Sequence, residues 1–66
     1  MSIRDARLKK NIGLNQFARQ IGIKPSYLSQ IERGIKKNPS NEIMIKISDG
    51  LEKSIQELFF DKSEVT

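Results

Sequence analysis

A chain of 66 residues with neither Cys nor His has room for one thin-cored domain, and lacks the means for a disulfide or a thiolate or imidazole metal site. Its apolar runs are a few residues long, against about 20 for a membrane span, and Met1-Ser2-Ile3-Arg4-Asp5 carries no apolar export signal. The net charge of +4 is unevenly spread: residues 1–37 hold nine Lys/Arg against Asp5 and Glu32, whereas residues 38–66 hold three Lys against six acids. This predicts a cytoplasmic protein with no cofactor, a half that faces a polyanion, and a half that faces water or protein.

The punctuation of the chain predicts five short helices and no strand, an all-α bundle forming a single domain over 1–66 with an ordered core of about 2–60. Ser2 caps a first helix of about residues 3–10, with Asp5 near its positive end. Asn11 follows where a left-handed residue is wanted. A second helix runs from about Leu14 to Gln20 and stops at Gly22, and Pro25 opens a third that ends at Gly34. Ile35 to Pro39 reads as a basic loop. Ser40 then caps a fourth helix reaching about Asp49 or Gly50. Ser54 with Glu57 forms a capping box for a fifth through Phe59.

The segment Leu14–Ile31 is the most specific part of the sequence. Two helices joined by a three- or four-residue turn cross closely, so Ala18 must be small and Gly22 must supply positive φ. Phe17, Ile21, Ile23, Leu28 and Ile31 make the apolar faces that lock the pair. Ser26, Tyr27, Ser29, Gln30 and Arg33 are left to point outward. A plain helical hairpin explains the apolar spacing, but not an outer face of amides and hydroxyls, which suit base edges in a major groove.

On Gly13-Leu14-Asn15-Gln16-Phe17-Ala18, Lys24 through Arg33, the loop Ile35-Lys36-Lys37 and Asn38-Pro39-Ser40, the chain resembles the Cro/CI-type helix-turn-helix family of repressors, also called the Xre family. Within it, the likeness is strongest to the DNA-binding domain of SinR-type repressors. The resemblance spans residues 3–60 and implies a lambda-repressor-like fold that binds double-stranded DNA. Three positions depart from the family pattern. Gly13 and Lys24 stand where Ser or Thr commonly caps a helix, and Leu14 stands where a phosphate-gripping Gln is common. Counting from Ala18 and Gly22 excludes Gln16 from that role.

The resemblance also implies a structural Arg7–Glu32 pair tying the first helix to the end of the third. The residues themselves agree, because an unpaired carboxylate on a DNA-facing half would repel phosphates. Pro25, Ser26, Tyr27, Gln30 and Arg33 are the candidates for base readout. Lys24, Arg19, Lys36, Lys37 and Asn38 are the candidates for phosphate contact. A domain this small reads only a few base pairs, so a homodimer on a two-fold operator is expected. On the fourth helix Met44, Ile47 and Leu51 fit the core, which leaves Ile43, Ile45 and Phe60 surplus and marks them as a candidate dimer surface. A protein antagonist or a further C-terminal domain is a second kind of partner.

Three rival readings follow from the same residues. An antitoxin or a restriction–modification controller would share the fold and the DNA-binding face. A helical adaptor that never touches DNA would not need the charge asymmetry. An enzyme is the poorest fit: there is no His or Cys nucleophile and no phosphate-binding loop motif, and the acids are scattered.

Overall fold

A computed structural model describes residues 2–36 and 39–60. Five helices follow one another: α1 (Ile3–Lys9), α2 (Leu14–Ile21), α3 (Pro25–Glu32), α4 (Asn41–Leu51) and α5 (Ile55–Phe59). No strand occurs among the described residues, and none of their helices is long and apolar enough to cross a membrane.

Capping explains where most helices begin. The hydroxyls of Ser2, Ser40 and Ser54 accept from the backbone N–H of Asp5 (3.0 Å), Ile43 (3.3 Å) and Glu57 (3.0 Å). Glu57 reciprocates at α5, its carboxylate accepting from the Ser54 N–H at 3.0 Å, so the expected capping box is complete. That backbone hydrogen bond, and secondarily the Ser54 hydroxyl and the Lys53 charge, holds the Glu57 carboxyl below its ordinary value. α2 and α3 begin differently: Gly13 and Lys24 occupy the cap positions and offer no side-chain bond.

The turns also follow local chemistry. Asn11 sits at φ 58°, the left-handed conformation that Asn tolerates well, and it reverses the chain between α1 and α2. Gly22, at φ 79°, ends α2, and the Ile23 N–H reaches back to the Ala18 carbonyl at 2.9 Å.

One core joins the helices. Ile3 and Ala6 from α1, Phe17 and Ala18 from α2, Leu28 and Ile31 from α3, Ile47 and Leu51 from α4, and Leu58 from α5 are all buried. Pro39 is buried as well, anchoring the chain just before α4.

Three sequence expectations need correction. α4 does not stop at Asp49 or Gly50 but continues to Leu51, and the left-handed cap is Glu52 at φ 58°. Gly50 instead serves helix packing. A Cβ there would lie 2.6 Å from Cε1 of Phe17, so the missing side chain lets α4 lie close against α2. Secondly, Ile43 is not surplus. It packs half-buried against the core, four residues before Ile47, while Met44 is half-buried outside that cluster. Thirdly, α1 ends one residue early, with Lys10 as its cap. Ile45 and Phe60 do remain exposed, at 48% and 54%.

Candidate nucleic-acid interface

The α2–turn–α3 unit positions the candidate site. Phe17 and Ala18 on α2 and Leu28 on α3 have no exposed surface at all, and Ile31 has little. Ala18 is thus completely enclosed where the two helices pack, which is why a small residue is required there. With that face of α3 buried, the opposite face is set by helical geometry. Ser26, Gln30 and Arg33 are exposed, spaced four and three residues apart, and therefore form one stripe. Tyr27 and Ser29 are half-buried, and Tyr27 also packs against the core, which restricts how its ring can be presented. Pro25 is half-buried at the first position of α3, and Lys24, before it, is exposed.

The far end of α3 is held by an ion pair. Arg7 donates from Nε to one Glu32 carboxylate oxygen at 2.7 Å and from Nη2 to the other at 3.1 Å. Its third donor, Nη1, reaches the Ile12 carbonyl at 2.8 Å. Both side chains are nearly enclosed, 7% and 5% exposed, so the guanidinium and the carboxylate neutralise each other away from water. Two consequences follow. α1 is tied to the α3 C-terminus, and the single acid of α3 presents no free negative charge beside the exposed stripe.

Past α3 the chain is pinned to the same helix. Gly34 turns at φ 80°, and the N–H groups of Ile35 and Lys36 both donate to the Gln30 carbonyl, at 2.9 and 3.1 Å. Lys36 is exposed there, and Arg19 is exposed on α2. Lys37 and Asn38, the other two expected phosphate contacts, lie outside the described residues. The site thus gathers Ser26, Gln30, Arg33 and Lys36 on or beside α3, with Lys24 at its start.

Sequence reasoning missed three features of this frame. The Ile12 carbonyl is the third acceptor for Arg7, and nothing in an Ile side chain signals that. Lys10 and Glu52, far apart in the chain, form an exposed ion pair at 3.1 Å that joins the ends of α1 and α4. Ile35 is 62% exposed in the basic loop. The sequence does carry a signal for it, an apolar residue flanked by cations.

A tight helix pair with one polar stripe outward can be compared with known proteins. Residues 3–58 match the family model described as "Helix-turn-helix". The chain belongs to the helix-turn-helix family, of the Cro/CI (Xre) type. Among curated relatives, this helix-turn-helix domain is similar to the HTH-type transcriptional regulator SlrR of Bacillus subtilis (strain 168). The two are 46% identical over 57 residues, covering 86% of this chain and 38% of SlrR. It is also similar to the HTH-type transcriptional regulator SinR of Bacillus licheniformis, 37% identical over 62 residues, covering 94% of this chain and 56% of that protein. An uncharacterized HTH-type transcriptional regulator of Mycobacterium tuberculosis is 35% identical over 57 residues, 86% of this chain and 40% of its own. The helix-turn-helix domain therefore spans about half or less of the length of these relatives. No solved structure matches it significantly. The chain thus carries the helix-turn-helix unit of a family whose relatives named above are HTH-type transcriptional regulators.

Proposed function

We propose that the chain acts as a transcriptional repressor that binds a two-fold operator as a homodimer, with α3 of each copy in the major groove. The observation that carries this reading is the division of α3. One face is sealed against α2, and the other presents Ser26, Gln30 and Arg33 to solvent. Gln30 pairs an amide donor with an acceptor, which matches adenine, and Arg33 matches guanine or a phosphate. Ser26 and Tyr27 add hydroxyls, and Pro25 offers an apolar edge for a thymine methyl group.

Around this stripe, Lys24, Arg19 and Lys36 are exposed cations suited to phosphates, and Lys37 and Asn38 continue the basic loop in sequence. The uncapped first turns of α2 and α3 leave backbone donors that an anion can satisfy. The dimer contact falls to the acidic half, where Ile45 on α4 and Phe60 after α5 are exposed. Repression follows if the bound dimer occludes a promoter, in keeping with the resemblance to SinR-type repressors.

Selection of bound duplexes from a random pool tests the whole reading. The expected product is two inverted half-sites with centres about 10–10.5 base pairs apart, or a multiple of that. Enrichment of one half-site without symmetry overturns the dimer, and no enrichment at physiological salt overturns DNA reading altogether.

A further inference from the structure

α2 packs with α3 on one side and with α4 on the other, and α4 packs in turn with α5. Ala18 and Leu28 have no exposed surface, so α2 and α3 are locked together as one body. α4 bears on that body at Gly50. A Cβ there would lie 2.6 Å from Cε1 and 3.0 Å from Cζ of Phe17, and 3.3 Å from Cγ2 of Ile21. Beside this contact the two helices part, and Gln20, Ile21, Lys46, Asp49 and Gly50 line an open groove between them.

Large meets small at this contact. Phe17 is fully buried and is the one aromatic side chain among the largest buried residues, and it faces the one residue type with no side chain. Glycine inside a helix weakens the helix locally, so Gly50 does nothing to help α4 form. What it contributes is placement: α4 seats directly on the edge of the Phe17 ring. The exposed Ile45 lies on α4 and the exposed Phe60 follows α5, so both move with α4 rather than with α2 and α3.

We infer that Gly50 is a positioning residue: it sets the distance between α3 and the α4–α5 half, and thereby the spacing of half-sites that the chain accepts. This rests on the proposed dimer, in which α3 reads DNA and Ile45 and Phe60 meet a second copy. Carbon atoms in contact stand about 3.5–4.0 Å apart, so a methyl group on Gly50 drives α4 from α2 by about 1 Å. A two-fold axis applies that displacement to both copies. The two α3 helices then shift relative to each other by about 2 Å, a large part of the roughly 3.4 Å between base pairs. Neither reading face changes, because Ser26, Gln30 and Arg33 ride on α3 with α2 locked behind it.

The test is duplex binding by Gly50→Ala, Phe17→Leu and the double variant in the full chain, by anisotropy well below every melting midpoint. The duplexes are the selected operator, a single half-site, and operators with one base pair added or removed between the half-sites. Gly50→Ala is expected to bind the single half-site within about twofold of the parent. It should bind the operator about three- to tenfold more weakly, because DNA or dimer must deform by a fraction of a base-pair step, and it should rank the two respaced operators differently. Phe17→Leu removes Cε1 and Cζ and lets α4 settle towards α2, so it should move that ranking the other way. The double variant, with the methyl group in the room left by the ring, should return close to the parent. Equal losses on half-site and operator, or a double variant no nearer the parent than Gly50→Ala, overturn the inference. If the parent prefers one spacing and both single variants keep that preference, the dimer stands and only this role of Gly50 falls. If the parent is indifferent to spacing, the dimer falls and the inference with it.

Discussion

A Cβ added to Gly50 would stand 2.6 Å from Cε1 of Phe17 and 3.3 Å from Cγ2 of Ile21, although Gly50 lies inside helix α4 and both neighbours lie on α2. Glycine weakens a helix interior by roughly 1 kcal/mol relative to alanine. Here that loss is offset by the close approach of two helices, one of which packs against α3. Phe17 has no exposed surface, so its ring has nowhere to retreat.

Gly50→Ala is therefore expected to destabilise the domain by about 1–2 kcal/mol, the overpacking penalty exceeding the gain in helix propensity. Urea unfolding with an unchanged m-value would measure it. A more stable variant would mean that α4 backs away from α2 without penalty.

Glu32→Ala should be among the most damaging single changes, because it leaves the Arg7 guanidinium enclosed with one carbonyl partner. Loss of one member of a buried pair costs about 3–5 kcal/mol, a large share of the stability of a small domain. Replacing both with apolar residues (Arg7→Met with Glu32→Leu) should cost much less than the sum of the two single changes. Chemical denaturation of the four proteins in that double-mutant cycle gives the coupling directly. Additive losses would show that the two side chains do not act as a pair.

On DNA, Gln30→Ala and Lys36→Ala should separate cleanly. Gln30→Ala is expected to lose roughly 1–3 kcal/mol on the operator and almost nothing on random duplex. Lys36→Ala should weaken all sequences alike and reduce the salt slope by about one. A Gln30→Ala protein with its sequence preference intact would remove that residue from base reading.

Acid should loosen α5 through its capping box. Because the Ser54 N–H and hydroxyl hold the Glu57 carboxyl below the ordinary value of 4.5, the unfolded chain takes up the proton more readily than the folded one. The cap's contribution is thus complete above 4.5 and is lost as pH falls through the lowered folded value. Amide exchange or chemical-shift titration of α5 should show this loss in the parent and not in Glu57→Gln.

Much of this molecule can be read without coordinates, and the legible parts share a cause. Ser2, Ser40 and Ser54 mark helix starts because a hydroxyl bonds a backbone N–H three residues away, an interaction within one segment of chain. Gly22 and Asn11 mark turns because positive φ is a property of the residue itself. Leu28 and Ile31 against Ser26, Gln30 and Arg33 divide α3 into two faces by helical periodicity alone.

Tertiary packing decided the rest. At Gly50, a local signal for a helix end was overruled by contact with Phe17, and Glu52 took the left-handed position instead. Ile43 and Met44 are equally apolar on paper, and only the direction of approach of the other helices determines which one faces the core. The Lys10–Glu52 pair and the Ile12 carbonyl under Arg7 depend on segments brought together across space. Local chemistry therefore determines which helices form and which faces of them are polar. Their mutual placement, and with it the surface left exposed on α3 and on the acidic half, follows from close packing, where a single methyl group decides how near two helices can lie.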